Sequence, residues 1–282
     1  MSRIVHVNGQ FVPEEEAQVS VFDRGYLFAD GVYEVTAVID GRLIDYEPHM
    51  NRLARSLGEL EMAWPVTRER LREVHEELIE RNALREGRVY MQVTRGVSER
   101  DFVYPKDARS SLLAFTQTAP VLADPKADKG VKVISIPDIR WKRRDIKSIA
   151  LLPQCMGKQR AAEAGAYEGW MHEDGFITEG TSSTSYIVTG GRIVTRGLSN
   201  AVLPGVTRLA IMRLAAERDM EIEERPFTLE EAYGAEEAFL TSASAIVLAV
   251  VDIDGRAIGG SRPGPVARRL RELYLEEACA GA

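Results

Sequence analysis

Apolar and polar residues alternate at the start of the chain, over 5–12, which predicts a strand. A second is predicted over 32–39, closed by Asp40-Gly41, a pair suited to a tight hairpin turn. The period then changes. From Pro48, Met50, Leu53, Ala54, Leu57 and Leu60 recur on one helical face, with Arg52 off it. Thr67 is placed to cap a second helix whose face is Leu71, Val74, Leu78 and Ile79. Strands are predicted over 88–94 and 112–118. Residues 119–130 combine two prolines, several charges and no periodicity, and so predict a linker between two domains. Beyond it the pattern predicts strands over 131–136 and 146–151, a helix near 159–164 and a hairpin over 185–195 turning at Gly190-Gly191. A late helix follows Leu203-Pro204-Gly205, and 238–251 reads as two short buried strands with 241–245 between them.

Composition narrows the classes. With 282 residues, 45% hydrophobic, 28% charged and 12 prolines, the chain is of ordinary globular make-up. Its formal charge of −7, from 43 acidic and 36 basic side chains, offers no basic field, so no nucleic-acid partner is expected. The longest uncharged apolar-leaning run, 238–251, is 14 residues with Thr241, Ser242 and Ser244 inside it, short of the ~20 needed to span a bilayer. No membrane segment is expected, and the N-terminus lacks the apolar core of a signal peptide. Cys155 and Cys279 form no ligand spacing and the four histidines are scattered, so no metal site is expected and a cytoplasmic location is. HExxH, GxGxxG, Walker A, GxSxG and SxxK patterns are absent. That leaves chemistry carried by a lysine, carboxylates or a cofactor.

Only seven lysines accompany 29 arginines, and Lys147 stands in the apolar run DIKSIALL (145–152). Apolar surroundings disfavour its ammonium form, as a Schiff-base lysine requires; a strand-end lysine reaching out to water is the alternative. Lys158 opens the polar run Lys158-Gln159-Arg160 and reads as solvated. Leu203-Pro204-Gly205-Val206-Thr207-Arg208 leads into a helix, where backbone N–H groups and the Thr207 hydroxyl form a natural phosphate cup, or a capped helix start and nothing more. Ser242-Ala243 could add donors and Arg52 a charge-assisted contact. Glu179, before the hydroxyl-rich Thr181-Ser182-Ser183, could hold a ring nitrogen protonated or lie in an exposed turn.

In order and spacing, DRGYLFADGVYEV (23–35), PHMNRL (48–53), TRGVSERD (94–101), DIKS (145–148), GAYEGW (165–170), TEGTSS (178–183) and LPGVTR (203–208) resemble the fold type IV pyridoxal-phosphate enzymes. These include D-amino-acid aminotransferases, branched-chain aminotransferases and aminodeoxychorismate lyase. GVYEV is similar to the D-amino-acid branch. The resemblance implies a two-domain α+β or α/β fold, with a small N-terminal domain (1–118), the linker (119–130) and a larger C-terminal cofactor domain (131–282) with a β-barrel-like core. It implies pyridoxal 5'-phosphate, with Lys147 as the cofactor-bound lysine and acid–base group and Glu168 near it. Glu179 would pair with the ring nitrogen and Arg140 with the phenolic oxygen. Arg52, Val206, Thr207, Ser242 and Ala243 would hold the phosphate, and Ser182, Ser183, Leu203 and Gly205 would line the cofactor.

The resemblance further implies amino transfer between a D-amino acid and a 2-oxo acid. The substrate would meet Tyr33 and Val35, together with Arg100 and Phe102 on a loop reaching from the second subunit of a homodimer. Two positions depart from the family pattern. Phe102 stands where the family has a histidine, and Thr184 where it usually has asparagine, so side-chain preference stays open. An aminodeoxychorismate lyase, a branched-chain aminotransferase and an (R)-amine transaminase remain as alternatives.

Overall fold

The computed structural model describes residues 2–280. The chain divides into two compact units, Met1–Val121 with Ile146–Ala150, and Leu122–Asp145 with Leu151–Ala282. The segment carrying Lys147 therefore belongs with the first unit, although a continuous reading of 131–282 assigns it to the second.

The first unit contains β1 (Ile4–Val7), β2 (Gln10–Pro13), α1 (Arg24–Phe28), β3 (Gly31–Ile39), β4 (Arg42–Leu43), α2 (Tyr46–Glu59), α3 (Arg68–Arg81), β5 (Glu86–Thr94) and β6 (Ser111–Thr118). The strands form an antiparallel sheet in the order β2-β1-β6-β5-β3-β4. The single strand expected over 5–12 is a hairpin instead, because Asn8 (φ 47°) and Gly9 (φ 92°) accept the left-handed backbone of a two-residue turn. Strand alternation divides the sheet. Val32, Val38, Val89, Met91, Val93, Leu112 and Ala114 bury one face against Met50, Leu53, Leu57, Leu71, Val74 and Leu78 of α2 and α3. The opposite phase carries Tyr33, Tyr90 and Phe115, whose rings stack at centroid distances of 5.7 and 4.9 Å. Thr67 caps α3 as expected, accepting from the Arg70 N–H.

The strand expected over 146–151 does not form. Only Ser148 bridges to Val32, and Leu152-Pro153 opens the next helix directly, leaving an extended stretch too short for a ladder.

The second unit contains α4 (Pro125–Lys129), β7 (Val131–Pro137), α5 (Leu152–Glu163), β8 (Glu168–Glu173), β9 (Phe176–Gly180), β10 (Thr184–Thr189), β11 (Arg192–Thr195), α6 (Val206–Ala216), β12 (Ile222–Glu224), α7 (Leu229–Tyr233), β13 (Glu237–Ser242), β14 (Ile246–Ile253), β15 (Arg256–Ala257) and α8 (Pro265–Ala280). The stretch expected to be an aperiodic linker thus holds α4, capped by Asp124. The sheet runs β12-β11-β10-β13-β14-β7-β8-β9, with β15 on β14. Its curvature follows from connectivity. Laid flat, five strand spacings of about 4.8 Å would separate β10 from β9. The turn from Gly180 to Thr184 can span only about 14 Å, so the sheet must curl until these strands approach. The Gly180 N–H donates to the Ser183 carbonyl at 2.8 Å across that junction. The curled sheet encloses Trp170, Ile187, Phe227, Leu240, Leu248 and Ile253, all with no exposed surface.

Candidate active site

In the first unit, β3 sorts its residues by alternation. Tyr33 and Val35 lie on the aromatic face, Val35 opposite Tyr90 in register, while Glu34 turns inward. The segment 147–149 is hung on β3 by backbone bonds. The Tyr33 N–H donates to the Lys147 carbonyl and the Ile149 N–H to the Gly31 carbonyl, both at 3.0 Å, and the Lys147 N–H donates to Ser56 Oγ at 3.2 Å. This places the half-buried Lys147 with its ammonium 4.2 Å from the Tyr33 ring centre.

Arg52 is not off the buried side of its helix. It is 8% exposed, with Nε and Nη2 donating to the two oxygens of Glu34 at 2.8 and 2.7 Å, and His49 Nδ1 lies 2.7 Å from Glu34 Oε2. Burial would raise the Glu34 pKa, but the Arg52 charge and the hydrogen bonds from Arg52 and His49 win and hold it at about 2. Burial lowers the pKa of His49, with Glu34 opposing.

The expected substrate loop has its own frame. The Arg100 guanidinium sits over the rings of Phe28 and Phe102, at 5.3 and 5.7 Å from their centres. Arg24 and Arg95 share Asp30 at 2.8 Å each, and Arg24 also donates to the Asp101 carbonyl.

In the second unit, Glu179 is 4% exposed and accepts from Arg140 Nη1 and from the Leu203 N–H at 3.1 Å. Arg140 is divided, its Nε and Nη2 donating to Asp138 at 2.9 and 2.7 Å, and Thr178 Oγ1 donates to Asp138 at 2.7 Å. Burial raises the Glu179 pKa, since the shared Arg140 compensates it only in part. Glu168 is wholly buried and accepts from the Thr181, Ser182 and Ser183 hydroxyls, with Lys158 Nζ at 3.6 Å. Ser182 and Ser183 are thus directed to Glu168. Lys158 is not solvated in the expected way. Its ammonium donates to the Tyr167 carbonyl at 2.9 Å, and burial lowers its pKa while Glu168 opposes.

The α6 start carries Gly205 as N-cap with no side-chain hydrogen bond, followed by Val206 and Thr207. The Thr207 hydroxyl is buried and has no partner among the described residues. The Ser242 hydroxyl accepts from the Ala245 N–H at 3.1 Å, which ties the Ser242-Ala243 turn into a tight loop.

Comparison with known proteins decides the family. The family model described as amino-transferase class IV matches residues 31–253. The chain belongs to the class IV aminotransferase family. It is 37% identical over 271 residues to the D-alanine aminotransferase of Staphylococcus haemolyticus, covering 96% of each chain. It is also 37% identical over 265 residues to that of Bacillus licheniformis, covering 94% of this chain and 93% of the relative. Among solved structures, a T.th. branched-chain amino acid aminotransferase with pyridoxamine 5'-phosphate superimposes at a TM-score of 0.91 with 26% identity, covering 100% of this chain and 96% of the other. The fold is that of the type IV aminotransferases.

Of the residues the sequence offers as candidates, the structure brings together Tyr33 with Lys147, Arg100 with Phe102, Arg140 with Glu179 and Leu203, and Glu168 with Ser182 and Ser183. Glu34, His49, Asp138 and Thr178 were not singled out by the sequence pattern. Glu34 did carry a signal, being an ionisable residue in the inward phase of an apolar strand, where only a paired charge is tolerated. Asp138 follows β7 two residues before Arg140, a spacing without a distinctive signature.

Proposed function

We propose that this chain is a pyridoxal 5'-phosphate-dependent aminotransferase that moves an amino group between a D-amino acid, such as D-alanine, and a 2-oxo acid. The likeness over nearly the full chain to D-alanine aminotransferases carries the reading. The residues present fit the cofactor. A helix N-terminus without a side-chain cap and a buried hydroxyl without a partner among the described residues suit a phosphate group, and a buried carboxylate whose pKa is raised suits a ring N–H.

When bound, the cofactor supplies an aldehyde carbon for amino groups and a ring that draws off electron density. Lys147 would hold that carbon until an amino donor displaces it, and the freed Nζ would then take up the proton from the substrate Cα. Glu179 would accept the ring N–H, Arg140 would meet the phenolic oxygen, and Glu168 would stand near Lys147. Arg52, the Val206 and Thr207 N–H groups, the Thr207 hydroxyl and the Ser242-Ala243 turn would hold the phosphate. Ser182, Ser183, Leu203 and Gly205 shape the cofactor's surroundings. Tyr33 and Val35 face the substrate, and Arg100 receives its carboxylate.

We place this activity in a cytoplasmic homodimer. The free cysteines Cys155 and Cys279 are consistent with a reducing compartment, and no helix among the described residues is long and apolar enough to cross a membrane. Val19, Val21, Phe22, Tyr26, Val97 and Phe102 of the first unit are exposed apolar side chains of the kind a second copy would cover, bringing Arg100 and Phe102 to the partner's site.

The likeness to the branched-chain enzyme favours a second reading, transfer from L-branched-chain amino acids. The test is to follow the visible spectrum of the cofactor-loaded protein on adding D-alanine, L-leucine or (R)-1-phenylethylamine without an acceptor. Conversion by D-alanine alone is expected. Conversion by L-leucine alone moves the chain to the branched-chain reading, and silence from all three donors removes both.

A further inference from the structure

One buried charged cluster of the first unit joins Glu34 to His49 and Arg52. Glu34 has no exposed surface, yet its row on β3 is otherwise Val32, Thr36 and Val38. An isolated carboxylate there would be neutral or would unfold the strand from the helices, so its partners must be what keeps it ionised. They come from one turn of α2, where His49 and Arg52 at i and i+3 share a face. The two-point bond occupies the Nε and Nη2 edge of Arg52 and fixes the plane of the guanidinium, hence the direction of its opposite edge. Because Glu34 is held as an anion, His49 must present Nδ1–H to it, and burial keeps that ring neutral, so it braces the carboxylate without adding charge.

We propose that Glu34, braced by His49, is the positioning residue that makes Arg52 a directed phosphate donor, so that the preference for the phosphorylated cofactor is set one layer behind Arg52. The inference rests on the reading of Arg52 as a phosphate ligand. It also has an opposite that charge alone would predict. Glu34 cancels the Arg52 charge, so if net charge governed phosphate binding, removing the carboxylate would tighten it. If direction governs, the same change weakens it.

The experiment measures dissociation constants of pyridoxal 5'-phosphate and of pyridoxal, which lacks the phosphate, for the full chain stripped of cofactor. Glu34→Gln is expected to weaken the phosphorylated form about tenfold and pyridoxal less than about twofold. His49→Gln, which leaves the ion pair intact, is expected to lower the same ratio about threefold. In an Arg52→Ala background, Glu34→Gln is expected to change the ratio no further. Tighter or unchanged phosphate binding in Glu34→Gln overturns the proposal, as does equal loss of both ligands, which marks a merely structural role. Should Glu34→Gln fail to fold, an unchanged ratio in His49→Gln overturns it instead. An Arg52→Ala variant that keeps the wild-type ratio removes the reading of Arg52, a failure distinct from one confined to Glu34.

Discussion

Glu34 and Glu179 are both buried carboxylates paired with an arginine, yet the protein moves their proton affinities in opposite directions. Burial raises both. The difference lies in how much of the arginine each receives. Arg52 gives Glu34 two donors on one edge, and His49 adds a third, so the anion is locked. Arg140 gives two of its donors to Asp138 and reaches Glu179 with another, so this carboxyl keeps part of its burial penalty. A carboxyl left under-compensated is one that gains from a further N–H, the contact a pyridinium ring would bring. The teaching is that a salt bridge is not a fixed quantity; the third partner decides whether it clamps or poises.

The largest expected effect would break the clamp. Glu34→Ala leaves Arg52 buried without its counter-ion and is expected to cost about 3–5 kcal/mol of stability, read from denaturant unfolding. A cost under about 1 kcal/mol would mean that water or another group replaces the carboxylate. Next comes the poised group. At saturating cofactor, Glu179→Gln is expected to lower kcat by about a hundredfold or more with little change in KM, because a neutral amide cannot stabilise a protonated ring. Glu34→Gln under the same saturation should stay within about threefold of wild type, since its role ends once the phosphate is seated. Similar kcat losses in the two variants would erase the distinction between them.

Much of this arrangement is legible in the sequence, and the exceptions have physical causes. Lys147 stood out as a charge within an apolar run, and Leu203-Pro204-Gly205 announced the α6 start. Arg52 falls off the helical face that apolar residues alone define, and a buried ion pair looks like surface to such a rule. Glu168, on another strand, collects the Ser182 and Ser183 hydroxyls, a contact that no spacing in the sequence shows. The hairpin at Asn8-Gly9 does carry a sequence signal, a residue pair that accepts the left-handed backbone. The curl of the larger sheet was not readable, since it follows from which strands become neighbours across a three-residue turn.

Acidity gives the comparison its sign. The folded-state pKa of Glu34 is depressed from 4.5 to about 2, so its contribution to stability is full above about pH 4.5 and is lost as the pH falls toward 2. The folded-state pKa of Glu179 is raised from 4.5, so its contribution is present below that pH and is lost as the pH rises through the higher folded value. In cofactor-free protein, the stability gap between wild type and Glu34→Gln should therefore close on acidification. Glu179→Gln should gain on wild type as the pH rises above 4.5. Unfolding curves across pH 2–7 test both, and trends of the same sign would contradict the contrast. A smaller change should shift one site toward the other. Asp138→Asn frees Arg140 to serve Glu179 fully, and kcat should fall about tenfold as the poised carboxyl becomes a clamped one.

The mildest variant asks whether the two proposed phosphate ligands follow the same logic. Arg52 is held by Glu34 before any ligand arrives, whereas the Thr207 hydroxyl is buried with no partner among the described residues. Replacing Thr207 by valine keeps the shape and removes a hydroxyl that is unsatisfied until the phosphate binds. Cofactor-free Thr207→Val should then be as stable as wild type or up to about 1 kcal/mol more so, while its affinity for pyridoxal 5'-phosphate falls about fivefold. The opposite holds for Glu34→Gln, which should lose stability and phosphate affinity together. If Thr207→Val destabilises the empty protein, its hydroxyl already has a partner, and Thr207 is then clamped in advance as Arg52 is.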